Sequence, residues 1–468
     1  MRHLASRHPD LAVAICGRDA SRLSVVASEV GWDDATRASS TFVVTEIAEE
    51  GSSSGSSSIS SRPSKALVEA FANAKIVLAC AGPYRRCGLP VLGAAIEAGC
   101  DYLDLCGEPQ FFDDALLAYD RRARDAGVLA VHAAAFDCVP AELGCALAER
   151  ALLAAGRRST GDAGEEEEED VLRCAGIEVI HTVRNVTSAN ATTFHAAVDG
   201  FHAAACGELA SSRNRVREMY PEFDETSPPP RPHSWPKVPE TPGAILPGYD
   251  AGLNLRTMRF VGADASAIRS SWRYLRSRVP DHPRRGRSVP EPRLSVLMGV
   301  DGGEKLSAVR VMAYGATFAT LARWGWGCDL LHAYPETFSG GVFTIDGPTE
   351  EELGRGGFVT YVTAYGSGGG ARGTDGRDGV RDVARVRVSG PEPGYVSTPG
   401  LIVALALTLL DARKVGSEGE GTRLPFYEGV TLPGALFGDC DGVYDNMRRE
   451  GVRFDVVDEF VETEHSPV

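Results

Sequence analysis

Residues 75–110 read KIVLACAGPYRRCGLPVLGAAIEAGCDYLDLCGEPQ. The apolar run Ile76–Cys80, bounded by turn residues, predicts a strand buried on both faces. Ala81-Gly82-Pro83 breaks that strand at its carboxyl end. A helical pattern follows from about Leu89 to Ala98, with Pro90 in its first turn and Gly99 as its C-terminal stop. Tyr102–Leu105 then restores a strand. Strand, helix, strand at this spacing is one βαβ unit, and such units build a parallel sheet with a ligand crevice at the strand carboxyl ends. Gly82 and Pro83 fall on the rim of that crevice. Glycine there admits close approach of backbone to a ligand and proline stiffens the loop, although an ordinary strand-to-helix turn uses the same pair.

Working outward from this unit, the pattern repeats. Leu11–Cys16 reads as a short buried strand ending in Gly17-Arg18-Asp19, Ser21–Val30 as a helix, Thr41–Thr45 as a strand and Ala66–Ala74 as a helix. Downstream, a helix over Phe111–Ala126 is stopped by Gly127 and followed by a last strand, Val128–Ala133. Strands and helices therefore alternate from Leu11 to Ala133, the pattern of a doubly wound sheet. Sheets that bind dinucleotides open with a strand, a glycine-rich turn such as GxGxxG, and a helix whose amino end holds the pyrophosphate. This sequence opens instead on MRHLASRHPD, where the helix is already under way. In the usual strand order 3-2-1-4-5-6 the absent strand is the central one, and its loss leaves two hydrogen-bonding edges facing a gap. The expectation is a sequence truncated at its amino end.

Length and composition bound the rest. A chain of 468 residues, 43% of them hydrophobic, has room for two or three domains with sizeable cores. A formal net charge of -16 disfavours electrostatic binding to nucleic acid or to an anionic membrane surface. Eleven cysteines form no CxxC pair and no metal-ligand spacing, so they read as small buried side chains of a reducing compartment. The most apolar stretches are Val309–Trp326, interrupted by Arg310 and Arg323, and Leu401–Leu410, which reads as a core helix.

After Pro140 the character changes. Ile177–Val183 opens a second domain, and Leu294–Val300, Ala308–Ala313, Gly341–Ile345, Phe358–Ala364 and Val383–Val388 read as strands of an antiparallel or mixed sheet. Ser397–Ala412 is a helix and Val443–Glu450 a shorter one. The acidic run Glu165–Asp170 reads as a solvated loop, Pro228–Pro247 as irregular, and Gly51–Ser61, Gly366–Gly379 and Gly416–Gly421 as flexible inserts. The expected division is 1–139, 140–394 and a C-terminal segment, 395–468, that returns to the first domain.

Few residues suggest chemistry. Arg18, one residue past a strand and Gly17, stands where an acid would accept a ribose 2′-hydroxyl and an arginine would pair with a 2′-phosphate. It points to NADP over NAD, or else is a plain surface arginine. Asp19 caps the following helix. Asp104, Glu108 and Asp137 lie at or after strand ends on the crevice side, where carboxylates orient a substrate or move a proton, or else cap helices and brace loops. His132 reads as a satisfied core histidine, while His181 and His195 have no partner at a recognisable spacing. None of the thirteen tyrosines has a lysine four residues on, and no GxSxG, P-loop or HExxH occurs. Those enzyme classes are excluded.

VLACAGPYRRCGLPV and IEAGCDYLDLCGEPQF, followed by AFDCVPAELG (Ala135–Gly144), resemble the saccharopine dehydrogenase-like oxidoreductases. The resemblance continues through GADASAIRSSWRYL (Gly262–Leu275), GPTEEEL (Gly347–Leu353), GPEPGYVSTPG (Gly390–Gly400) and GVTLPGALFG (Gly429–Gly438), leaving little beyond the low-complexity inserts uncovered. It implies an α/β fold: a doubly wound parallel, Rossmann-like sheet lacking its first strand, plus a second α/β (α+β) domain with a mixed sheet. It implies NADP, or NAD, as cofactor. Gly17 and Arg18 would meet the adenosine end, and Glu46, where the family usually has Asp, the adenine. Cys80, Ala81, Gly82, Pro83 and Tyr84 would face the pyrophosphate and nicotinamide ribose. The family's glycine-rich loop, of the form GATGFTG, falls before Met1, so the amides that grip the pyrophosphate are not among these residues.

Similar proteins are linked to membranes, lipid droplets and glycolipid synthesis, and a bacterial branch reduces enoyl groups on lipid chains. The resemblance thus implies a small-molecule or lipid substrate and a cytoplasmic protein, peripheral on lipid droplets or membranes, or a mitochondrial one. The segment Ser307–Pro335, strongly apolar in lipid-linked relatives, is diluted here by Arg310, Arg323, Asp329 and His332. Its aromatics Tyr314, Phe318, Trp324 and Trp326 suit a lipid interface or a buried helix or strand pair. Two readings stand: an NAD(P)-dependent oxidoreductase acting on a lipid-like substrate, and a catalytically silent scaffold at a lipid surface.

Overall fold

The computed structural model describes residues 1–34, 36, 40–47, 62–159, 172–225, 227–233, 235, 248–250, 252–301, 305–367, 383–415 and 422–460. The runs 51–61, 165–170 and 416–421 lie outside the described residues, as do 368–379 of the other glycine-rich run and 236–247 of the proline-rich one.

The chain begins with α1 (Arg2–Arg7), β1 (Ile15–Gly17), α2 (Ala20–Glu29) and β2 (Thr41–Val43). β1 and β2 are parallel, with Ile15 opposite Thr41, and form a sheet of their own. The strand expected over Leu11–Cys16 starts only at Ile15, because Leu11, Ala12 and Ala14 are exposed and have no partner strand to bury them. Asp19 caps α2 by accepting the Arg22 N–H at 3.1 Å.

α3 (Lys65–Phe71), β3 (Ile76–Ala79), α4 (Tyr84–Glu97), β4 (Asp101–Asp104), α5 (Pro109–Asp125) and β5 (Leu129–Val131) follow in strict alternation. β3, β4 and β5 are parallel neighbours, and Gly429–Thr431 adds a fourth parallel strand beside β5. β1 and β3 each keep one edge without a partner strand among the described residues. α4 starts at Tyr84, directly after Pro83, so Pro90 sits mid-helix rather than in the first turn. The earlier start has a physical cause: Tyr84 is buried and the first-turn amides of α4 find an acceptor in Glu108.

The second half builds a mixed sheet. α6 (Val139–Ser159) leads to β6 (Cys174–Arg184), β7 (Ala189–Asn190), α7 (Ala191–Ala205), α8 (Glu208–Met219), β8 (Gly248–Asp250), β9 (Leu255–Arg259) and α9 (Asp264–Arg278). Then come β10 (Arg293–Asp301), α10 (Lys305–Leu321), α11 (Gly325–Ala333), β11 (Phe343–Thr344), β12 (Gly357–Gly366) and β13 (Val383–Pro391). The last described elements are α12 (Thr398–Val415), β14 (Gly429–Thr431), α13 (Asp441–Arg449) and β15 (Arg453–Val457). The seven-stranded sheet runs β15-β13-β12-β6-β10-β9-β8, with β6 and β10 its one parallel pair. The strand expected over Ala308–Ala313 is instead part of α10. Arg310 between Val309 and Val311 looks like a strand's alternation, but the run goes on through Met312, Phe318 and the alanines to Leu321 with Gly315 its one interruption, a length that suits a helix.

One hydrophobic core joins the halves. Leu103, Leu129 and Val131 of the parallel sheet pack in the same cluster as Ile177, Val179 and Val362 of the mixed sheet and Leu401, Leu405 and Leu409 of α12. Pro393–Val415 is long and apolar enough to cross a bilayer, yet its most apolar window is 67% buried within the protein. It is a core helix.

Candidate functional site

The loop after β3 exposes Cys80, Ala81 and Gly82 and then buries Tyr84. The Tyr84 hydroxyl donates to the Ala79 carbonyl (2.7 Å) and accepts from the Leu105 N–H (3.2 Å). A Cβ at Gly82 would touch nothing closer than the Tyr84 ring at 3.6 Å, so the outer face of this loop is open to an approaching ligand. Pro83, the N-cap of α4, has no side-chain acceptor for the helix amides. Glu108 replaces it, accepting the Tyr84 N–H at 3.2 Å. Burial pushes the Glu108 carboxyl up, and the amides of Tyr84 and Arg85 with the Arg85 charge pull it back.

Asp104, at the end of β4, is fully buried. One carboxylate oxygen accepts the N–H groups of Cys106 and Ala133, both at 3.1 Å, and the other pairs with His132 Nδ1 at 2.6 Å. Its backbone carbonyl accepts from the Ala134 N–H at 2.7 Å. The residue is therefore a joint between the loops that follow β4 and β5.

At the end of β1, Arg18 is exposed and makes no hydrogen bond or ion pair with the described residues. Its charge reaches the Cys87 thiol in the first turns of α4, opposing the upward push of burial there. The ends of β1 and β3 thus share one rim although their sheets are separate. Gly17 lies against the Leu23 side chain, 3.1 Å from where its Cβ would be. Glu46 is exposed just past β2, and its carbonyl accepts the Ser64 hydroxyl. A cation without a partner among the described residues, an open glycine and an exposed backbone strip on one rim fit a phosphorylated dinucleotide.

Beside this rim lies a small concavity of about 60 Å³, lined by Phe136, Asp137, His181, Val183, Phe260, Asp264 and Met298. Asp137 comes from the loop after β5, His181 and Val183 from one face of β6, Met298 from its neighbour β10, and Asp264 from the start of α9. Phe136 is pinned by its N–H donating to Thr398 Oγ1 at 3.2 Å. The Asp137 carboxylate lies against Gly107, where a Cβ would come within 2.8 Å of Oδ2, which sets it next to the Glu108 loop. Asp137 is exposed at its outer side. Enclosure by protein and the nearby Asp264 charge push its carboxyl up to about 6, against the pull of His181.

His181 is held from both sides. Its Nδ1 is 2.9 Å from Thr360 Oγ1 and its Nε2 is 3.3 Å from Asp264 Oδ1. Asp264 has no exposed surface, and neither of its oxygens makes a hydrogen bond with the described residues. Sequence reading missed Asp264, although it lies within the quoted run GADASAIRSSWRYL. Nothing in one dimension connects it to a histidine 83 positions earlier on a strand of another layer. Of the other sequence candidates, Asp104 and Glu108 brace the rim, Asp137 reaches the concavity, and His195 lies apart, its ring 5.0 Å from that of His332.

The saccharopine dehydrogenase NADP binding domain profile matches residues 1–131, the stretch that carries the rim. The human saccharopine dehydrogenase-like oxidoreductase is 30% identical over 397 residues, 84% of this chain and 79% of its own. An Arabidopsis thaliana protein named probable mitochondrial saccharopine dehydrogenase-like oxidoreductase is 28% identical over 82% of this chain and 78% of its own. A Caenorhabditis elegans lipid droplet localized protein is 24% identical over 96% of this chain and 92% of its own. With the alternating strands, the rim and most of the mixed-sheet half all inside these matches, the chain belongs to the saccharopine dehydrogenase-like oxidoreductase family.

Proposed function

We propose that this chain is an NADP-dependent oxidoreductase that moves a hydride to or from a lipid-like substrate, whose reacting end enters the concavity beside the rim. The observation that carries the reading is Arg18: an exposed guanidinium at the end of β1 with no partner among the described residues, across the rim from the open Gly82 loop. A bound nicotinamide dinucleotide supplies or accepts the hydride, and the protein supplies orientation and exclusion of water. Phe136, Val183, Phe260 and Met298 give the concavity apolar walls, and Asp137 offers a carboxylate to orient the substrate or move a proton.

The lipid part of the reading rests on α10 and α11. Val311, Ala313, Tyr314, Gly315, Ala316, Thr317, Ala319 and Thr320 are all exposed, so α10 shows apolar residues around most of its circumference. Trp324 and Trp326, 58% and 64% exposed, stand at the turn that follows. Such a surface suits shallow contact with a membrane or lipid droplet.

Titration with NADPH, followed by nicotinamide fluorescence and repeated with NADH, tests the cofactor claim. Saturable binding that favours NADPH supports it. Absence of binding would leave the second reading, a scaffold at a lipid surface, which the separation of the β1–β2 sheet from the four-stranded sheet favours.

A further inference from the structure

We infer that α8 and α9 together form a docking face for anionic membrane lipids, with four arginines receiving the headgroup phosphates. The inference rests on the lipid-surface part of the proposed function and adds the headgroup chemistry that the surface selects.

Each helix carries two arginines one turn apart, Arg213 and Arg217 on α8 and Arg269 and Arg273 on α9. The first three are exposed and Arg273 is half-buried. The helices meet at this level, where Arg213 Nη2 donates to Ser266 Oγ at 3.2 Å. Arg273 Nη2 donates to Ser270 Oγ at 3.3 Å, and its guanidinium lies over the Phe223 ring, 5.4 Å from the centroid. Arg217 Nη1 donates to Asn214 Oδ1 at 2.9 Å and Arg269 Nη1 to the Ala265 carbonyl at 3.3 Å. Each guanidinium is thus steadied by a neutral acceptor, and none of the four forms an ion pair with a described residue. The donors left over on a guanidinium suit the paired oxygens of a phosphate.

Acids near this face are spent or buried. Asp264 faces His181, Glu291 is engaged by Arg276 at 3.1 Å, and Glu208 is taken by Arg85. On α8 only Glu218 remains, against Arg213, Arg215 and Arg217. Asp113 of the neighbouring α5 is buried, and burial pushes its carboxyl up to about 6 against the pull of Arg273, Arg213 and Arg217. Those three charges therefore gather around one point. Partial burial and the Arg259, Arg213 and Arg231 charges push the Arg269 guanidinium down, against the pull of Glu291. Positive charge is thus concentrated here on a chain whose net charge is -16. The Debye length is about 10 Å at 0.1 M salt, so a membrane touching this face senses the arginines before the charge of the whole chain.

Exposed apolar side chains favour a membrane over an acidic polypeptide. Met219, 40% exposed, is two residues from Arg217, and Val261, 66% exposed, is two from Arg259. Arginines beside apolar side chains fit the layer where phosphates meet acyl chains. The chain also links this face to the aromatic surface: His202 of α7 places Nδ1 2.9 Å from the Ala322 carbonyl, just past α10, and the backbone turns at Gly207 into α8.

Flotation of the full chain with vesicles of phosphatidylcholine alone, and of phosphatidylcholine with about 20% phosphatidylserine, tests this. The anionic vesicles are expected to bind several-fold more protein, and raising salt from about 0.1 M to about 0.5 M should abolish that gain in the unmodified chain. Arg213→Gln with Arg269→Gln should weaken binding to the anionic vesicles about 25-fold, about 5-fold for each arginine, and leave binding to phosphatidylcholine unchanged. Arg355→Gln with Lys414→Gln, which removes as much charge from ion pairs elsewhere, should stay within about 2-fold of the parent. Equal losses in the two double variants, or a gain indifferent to salt, would overturn the inference. Preference for soluble polyglutamate over the anionic vesicles would overturn it in favour of an acidic protein partner. Binding to the anionic vesicles that survives replacement of Trp324 and Trp326 but not of the arginines supports the inference even where the α10–α11 contact fails. Flotation with neither vesicle would overturn both.

Discussion

The Tyr84 hydroxyl ties Ala79 to Leu105, donating to the carbonyl of one and accepting from the amide of the other. It therefore spans the ends of β3 and β4 at the rim where the cofactor is proposed to lie. Because the ring is buried, its loss strands two backbone groups away from water.

Tyr84→Phe is expected to lower stability by about 1–3 kcal/mol, the cost of leaving buried polar groups unpaired. NADPH affinity should fall with it, since the Gly82 loop is anchored through this residue. Denaturant melts combined with NADPH titration check both. Unchanged stability would mean that water or a local shift replaces the hydroxyl.

Arg18→Ala should weaken NADPH binding about 10- to 100-fold, the range of charge-assisted hydrogen bonds, with NADH barely affected. The ratio of the two affinities is the quantity to measure. A uniform loss for both dinucleotides would mark Arg18 as structural.

Glu142 gives a pH signature. Burial pushes its carboxyl up to about 8, against the hydrogen bonds from Ser271 and Gly434. The unfolded chain releases that proton in the ordinary carboxylate range, so the native state holds more protons between roughly pH 4.5 and pH 8. Stability from this residue is complete at the acid end of that window and is lost as pH rises through it. Glu142→Gln keeps the neutral form, so its melting temperature should exceed that of the parent at pH 8 and match it near pH 4. Parallel melting curves across the window would rule the assignment out.

Replacing Trp324 and Trp326 with Ser should reduce flotation with phosphatidylcholine liposomes several-fold while leaving the melting temperature within about 1 °C, because both rings are exposed. Flotation that persists in the double variant would move the lipid contact elsewhere.

The parallel half was legible because its signals are local. Ile76–Ala79 and Asp101–Asp104 are apolar or short runs closed by glycine or proline, and the helix between them follows at the expected interval. Asp19 as a cap is equally local. The reading failed over Ala308–Ala313: Val309-Arg310-Val311 looks like a strand, but the segment belongs to a helix that only its continuation to Leu321 reveals. The site was half legible. Asp137 was picked out because it follows a strand end, and Glu108 for the same reason, but its service to α4 depends on a contact across 24 residues. His181 was visible without its meaning. The carboxylate that gives it one comes from α9, and only the packing of the mixed sheet against that helix brings them together.

The two sheets share a late debt to the chain. β14, at Gly429–Thr431, closes one side of the parallel sheet, and β15, at Arg453–Val457, closes one side of the mixed sheet. On the ribosome, neither sheet has its outermost partner until nearly the whole polypeptide has emerged, so β5 and β13 wait with bare edges throughout synthesis. This protein should therefore lean on chaperones that shield nascent strands, and stalled translation near residue 420 should yield aggregates in place of a folded amino-terminal half.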